Sequence, residues 1–159
     1  MKRRIASVIL LCVFFTGLGL SQDVPSIPPV QGKISSGMSG PLASRTRPEM
    51  QMIKHLDGVD FQVPVGTPVC ATATGMVTRA GASGPDGLSV RIDHGRGIET
   101  FYAHLSKVSV AEGMRVRKGQ VLGYSGNSGL SSTPHVHYEI IKDGRSIDPQ
   151  PYLSHLLKP

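Results

Sequence analysis

Residues 133–140, "TPHVHYEI", set His135 and His137 two positions apart in a run of strand-forming residues. Side chains of an extended chain alternate faces, so His135, His137 and Glu139 share one side of the strand and Val136, Tyr138 and Ile140 the other. One side packs and the other presents two imidazoles. The same texture continues upstream. Short runs rich in Val, Ile, Thr and aromatics predict strands at Asp60 to Val63, Val69 to Ala73, Met76 to Ala80, Leu88 to Asp93, Ile98 to His104, Val121 to Tyr124 and Val136 to Ile141. Turn signals separate them: "PVGTP" at 64–68, "GASGPDG" at 81–87, "HGRG" at 94–97 and "SGNSG" at 125–129. No stretch before Leu153 carries a helical period, and spacing this tight leaves no room for helical crossovers. The expected class is all-β, mainly antiparallel.

In the run Ile98 to His104, alternation puts Ile98, Thr100, Tyr102 and His104 on one face and Glu99, Phe101 and Ala103 on the other. His55, Asp60, His104, His135 and His137 together make an inventory for one zinc site. Zinc takes nitrogen, sulfur and carboxylate oxygen, and a catalytic site keeps three protein ligands and a water. His94, in a glycine turn, and His155, in the tail, read as ordinary hydrogen-bonded or half-exposed residues.

With 159 residues, 39% of them hydrophobic, and no tryptophan, the chain supplies one core and therefore one domain. Met1-Lys2-Arg3-Arg4 and the apolar run Ile5 to Leu20 read as a secretory signal, too short for a membrane span, with cleavage after Ser21. The expected organisation is a signal peptide at 1–21, a Pro-rich extended tether at 22–31 with little to bury, and one domain at 32–155. Loss of Lys2, Arg3 and Arg4 lowers 17 basic residues to 14, against 11 acidic ones, a net +3. That mild bias suits a polyanionic surface such as a cell wall, and no basic stripe interleaved with aromatics points to nucleic acid. Cys12 leaves with the signal, so Cys70 has no internal disulfide partner and reads as a small buried hydrophobe.

Four longer stretches, "HLDGVDFQVPVGTPVCATATGMV", "IDHGRGIETFYAHLSKVSV", "GMRVRKGQVLGYSGNSGLSSTPHVHYEI" and "DGRSIDPQPYL", together resemble the M23 family of zinc metallopeptidases, the LytM and lysostaphin-like peptidoglycan hydrolases. The segment "GKISSGMSG" at 32–40 is similar to the family's opening strand and loop. The resemblance implies a small antiparallel β fold with a groove holding Zn2+. By residue type and place it implies His55, Asp60 and His137 as metal ligands and His104 and His135 as the catalytic pair that does not bind metal. It also implies a peptidoglycan substrate, cut within its peptide cross-links. With the export signal, the expected location is the periplasm or outside the cell, with no membrane span after cleavage and a monomeric state.

The family usually spaces its first histidine and aspartate as H-x-x-x-D, whereas four residues lie between His55 and Asp60 and Leu56 takes the usual histidine place. On a regular strand that spacing puts the two side chains on opposite faces, so His55 needs a bulge or turn to ligate. Asp57-Gly58 is a turn signal that can supply one, and Asp57 is itself an alternative ligand. The rival expectation is a metal-deficient member that binds the wall and activates other hydrolases.

Overall fold

The structure is a computed structural model and describes residues 24–37 and 58–153. The expected signal peptide, His55, Asp57 and His155 lie outside the described residues.

Ten strands form one antiparallel sheet among these residues: β1 (Lys33–Gly37), β2 (Val59–Gln62), β3 (Pro68–Cys70), β4 (Gly75–Ala82), β5 (Leu88–Gly95), β6 (Ile98–Val108), β7 (Arg115–Val116), β8 (Val121–Ser125), β9 (His135–Lys142) and β10 (Arg145–Ile147). A single short α-helix, α1 (Gln150–Leu153), ends the described residues. The strand order is β1-β2-β9-β6-β5-β4-β7, with β10 on β9 and β3 joined through β8 to β6. The all-β, antiparallel expectation holds, and the opening strand expected within 32–40 is β1.

Two hairpins are closed by two-residue loops, Arg96-Gly97 between β5 and β6 and Asp143-Gly144 between β9 and β10. Both loop residues have positive φ in each case (51° and 73°, 49° and 76°), the backbone that lets a tight turn follow the natural twist of the strands. Asp143-Gly144 is the sequence signal for β10, which the strand reading omitted. β7 was also unforeseen, because two residues carry no periodicity.

Val136, Tyr138 and Ile140 pack with Phe61, Tyr102, Ile92, Val90, Leu105 and Leu122 into the main core, on the side of β9 opposite the histidines. The Tyr102 and Tyr138 rings lie 5.3 Å apart and tilted, and Phe61 meets Tyr138 edge-on at 6.5 Å. Burying two phenols requires partners for two hydroxyls. Thr72 supplies them, its backbone N–H donating to Tyr102 OH (3.0 Å) and its Oγ1 lying 2.9 Å from Tyr138 OH. That bond explains why β3 stops at Cys70 rather than Ala73, since the Thr72 N–H serves a side chain and not the ladder. The chain of polar groups continues from Tyr102 through Thr100 Oγ1 (3.1 Å) to His94 Nε2 (2.8 Å), whose Nδ1–H donates to Thr74 O (2.8 Å). His94 is therefore the hydrogen-bonded residue expected, in strand β5 rather than in a turn.

Two expectations need correction. The stretch 24–31 is irregular but is no bare tether, because Val30 is buried in the main core, Cys70 N–H donates to Pro29 O (2.8 Å) and Ser26 N–H to Thr72 O (3.2 Å). Cys70 is half-buried rather than buried. The partial burial pushes its thiol pKa up, which makes it a poor nucleophile.

Candidate active site

Strand β2 pairs with β9 so that Asp60 lies opposite His137 and Gln62 opposite His135. Cross-strand partners project to the same side of a sheet, so this register alone brings a carboxylate and an imidazole together from residues 77 apart in the chain. Asp60 Oδ1 is 2.7 Å from His137 Nδ1. The opposite ring nitrogen, Nε2, is 3.1 Å from Glu139 Oε1. His135 stands two residues up the same face, its Nε2 3.9 Å from Asp60 Oδ1.

His104 reaches the site by a different route, and here alternation misleads. It would place His104 on the Tyr102 face, inside the main core. In the structure His104 takes a left-handed backbone, with φ of +60°. Around it β6 advances three positions, from Tyr102 to Leu105, while β5 advances two, from Val90 to Leu88, which is a bulge. The extra residue turns the imidazole to the other face, with its ring centroid 4.7 Å from His135 and 6.3 Å from His137. Left-handed backbone at a non-glycine residue costs roughly 1–3 kcal/mol and persists only where the surroundings enforce it. The enforcing contact is a bond from His104 Nδ1–H to the Ser128 carbonyl (2.8 Å).

Ser128 belongs to the loop between β8 and β9 and is fastened on three sides. Its Oγ donates to Leu105 O (2.6 Å) and accepts from Leu88 N–H (2.9 Å), while its carbonyl serves His104. Next to it, Leu130 N–H donates to Pro85 O (2.7 Å), so the loops "GASGPDG" and "SGNSGLSSTP" dock on each other. The same loop holds His135, whose Nδ1–H donates to Thr133 O (2.7 Å) with Ser131 Oγ 3.1 Å away. A carbonyl can only accept, so both histidines carry their proton on Nδ1 when neutral and keep Nε2 as the basic nitrogen. His137 has the reverse arrangement, with Nδ1 turned to Asp60.

Burial pulls the His137 pKa down, but the hydrogen bonds and charges of Asp60 and Glu139 outweigh it and raise the pKa from 6.5 to about 9. A nearly inaccessible imidazole between two carboxylates is thus a place that demands positive charge. In the absence of metal a proton supplies it, and a divalent cation does so better. The donor types fit Zn2+, with one carboxylate oxygen and one imidazole nitrogen converging from adjacent strands. Among the described residues no group of three such side chains is gathered, and His55 and Asp57, the expected third ligand and its alternative, lie outside them. Of the five site residues expected from the sequence, four converge: Asp60, His104, His135 and His137. Glu139 and Ser128 were missed. Alternation placed Glu139 on the histidine face, but nothing in the sequence marked Ser128 beyond its place in a Gly/Ser turn.

Comparison with known proteins bears on the family and the fold. The chain is 40% identical over 120 residues to the DD-carboxypeptidase/endopeptidase Mpg of Neisseria meningitidis serogroup B, an overlap of 76% of this chain and 28% of that relative. The chain therefore spans less than a third of that relative's length. The antimicrobial peptidase lysostaphin of Staphylococcus simulans superposes with a TM-score of 0.65 at 34% identity, over 78% of this chain and 50% of its own. A zinc-containing peptidase of Vibrio cholerae superposes with a TM-score of 0.68 at 30% identity, over 79% and 39%. The sequence model of Peptidase family M23 matches residues 54–149, a span that holds His55 and all four converging site residues. By that match and by this fold, the chain belongs to peptidase family M23.

Proposed function

We propose that the chain is an exported zinc metallo-endopeptidase that hydrolyses the peptide cross-links of bacterial peptidoglycan, at the bond from D-alanine to diaminopimelate. The observation that carries this reading is the 2.7 Å approach of Asp60 to His137 with His104 and His135 grouped beside it. The relative's printed name, a DD-carboxypeptidase/endopeptidase, supports the substrate class. Under the same reading, residues 1–21 are a signal peptide, 22–31 lead into the domain at 32–155, and the protein works as a monomer in the periplasm or outside the cell. No helix among the described residues is long and apolar enough to cross a membrane.

Asp60 and His137 would hold Zn2+, with His55 or Asp57 as the third ligand. Bound zinc would lower the pKa of a water molecule to about 7, which would supply hydroxide at neutral pH. His104 and His135 present Nε2 as the basic nitrogen, because Ser128 O and Thr133 O hold their Nδ1 protons. Either ring can take the proton of the attacking water and return it to the departing amine. Between these two transfers the protonated ring stands beside the oxyanion and stabilises it. Asp60 keeps the group electrically balanced, and Ser128 and Thr133 keep both rings from turning.

The four-residue separation of His55 and Asp60 favours one second reading, a metal-deficient wall-binding module that activates other hydrolases. Incubating the protein with purified sacculi of the diaminopimelate and the glycyl-bridge type, with and without a zinc chelator, separates the two. Chelator-sensitive release of uncross-linked muropeptides, identified by mass, is expected from the first type. Binding without release from either type would overturn the enzyme reading in favour of the second.

A further inference from the structure

We propose that Glu139 is the positioning residue that makes His137 a donor through Nδ1 alone, an inference that rests on Asp60 and His137 being metal ligands. A neutral imidazole has one N–H and one lone pair, and the position of the proton decides which nitrogen can bind a cation. Asp60 Oδ1 and Glu139 Oε1 contact opposite nitrogens of the same ring, at 2.7 Å and 3.1 Å. With the cation on the Asp60 side, the remaining proton sits on Nε2 and donates to Glu139. A carboxylate behind the ring also raises the basicity of the ligating nitrogen.

The local fold makes room for this contact. Glu139 follows His137 by two residues, so the two side chains rise together from β9. Gly58, at the entry to β2, lies against them. A Cβ there would come within 2.8 Å of Glu139 Cγ and 2.5 Å of Tyr138 O, and its φ of +124° is glycine territory. Among the described residues, His137 is the one basic side chain that pairs with Glu139. With its side chain only 15% exposed, the carboxylate gets limited help from solvent.

The test measures zinc affinity of the purified wild type, Glu139→Ala and Glu139→Gln by competition with a chromophoric chelator. It adds thermal melting of all three and NMR of the His137 ring nitrogens in the zinc-loaded protein. Glu139→Ala should bind zinc about 10- to 100-fold more weakly. Glu139→Gln should stay within a few-fold of wild type, because its amide oxygen still accepts the Nε2 proton. In wild type the ring should show metal on Nδ1 and the proton on Nε2. Wild-type affinity in Glu139→Ala, loss in Glu139→Gln equal to that in Glu139→Ala, or metal on Nε2 would each overturn the inference. If Glu139→Ala does not fold, the glutamine variant and the ring signature decide the outcome. A wild type that takes up no zinc is a distinct result, which removes the metallopeptidase reading and this inference with it.

Discussion

Asp60 and His137 are register partners on β2 and β9, and the 2.7 Å between Oδ1 and Nδ1 follows from the pairing itself. No loop has to close to bring them together. The two proposed metal ligands are thus as rigid as the sheet.

That contact gives a pH signature in the metal-free protein. The His137 pKa rises on folding from 6.5 to about 9, so its stabilising contribution is complete below about pH 6.5 and is lost as pH climbs through 9. Melting temperature of the metal-stripped protein should fall across that window, and His137→Ala should flatten the fall. Zinc affinity should run the other way, rising with pH as the proton leaves the ring. Isothermal titration at pH 6 and pH 8 reads that difference.

His104→Ala and His135→Ala should separate catalysis from metal binding. Each should lose roughly 100- to 10,000-fold in turnover of a cross-linked muropeptide dimer while keeping its zinc. Steady-state kinetics with metal analysis of the same samples checks both halves.

Ser128→Ala removes both bonds of the hydroxyl, to Leu105 O and from Leu88 N–H, and so loosens the carbonyl that orients His104. Turnover should fall about 10- to 100-fold with bound zinc unchanged, because misplacing a proton carrier by about 1 Å is costly. A variant with wild-type turnover would mean that His104 is oriented by other contacts.

Thr72→Val keeps shape and deletes the hydroxyl that lies between the two buried phenols. Tyr102 retains the Thr72 N–H and Thr100, whereas Tyr138 loses the side-chain partner found for its OH. The expected cost is about 1–3 kcal/mol in chemical denaturation, the penalty of an unsatisfied buried hydroxyl.

Much of this was legible in the sequence, and the exceptions have physical causes. All seven expected strands start within one residue of their expected starts and run along alternating or Val/Ile-rich stretches, because burial of one face imposes that pattern. β3 ends early because the N–H of Thr72, two residues past its end, goes to a tyrosine hydroxyl. The residues before β1 were misread because proline content says nothing about Val30, one apolar side chain that finds the core. His135 and His137 could be placed on one face from periodicity, whereas Asp60 joins them only through the β2–β9 register, which the sequence does not display. His104 could not be placed there, since a left-handed residue breaks the period and histidine gives no warning of it. Glu139 lay in plain view two residues from His137, but a role for it needs the distance to Nε2, which no spacing rule contains.

Zinc stoichiometry is the decisive quantity. Protein purified with zinc present and then dialysed should hold about one zinc per folded chain, and His137→Ala, still folded by thermal melting, should hold none. A wild-type chain without metal that digests peptidoglycan as well as before, or a His137→Ala variant that does so, would contradict the assignment of Asp60 and His137 as the metal-holding pair.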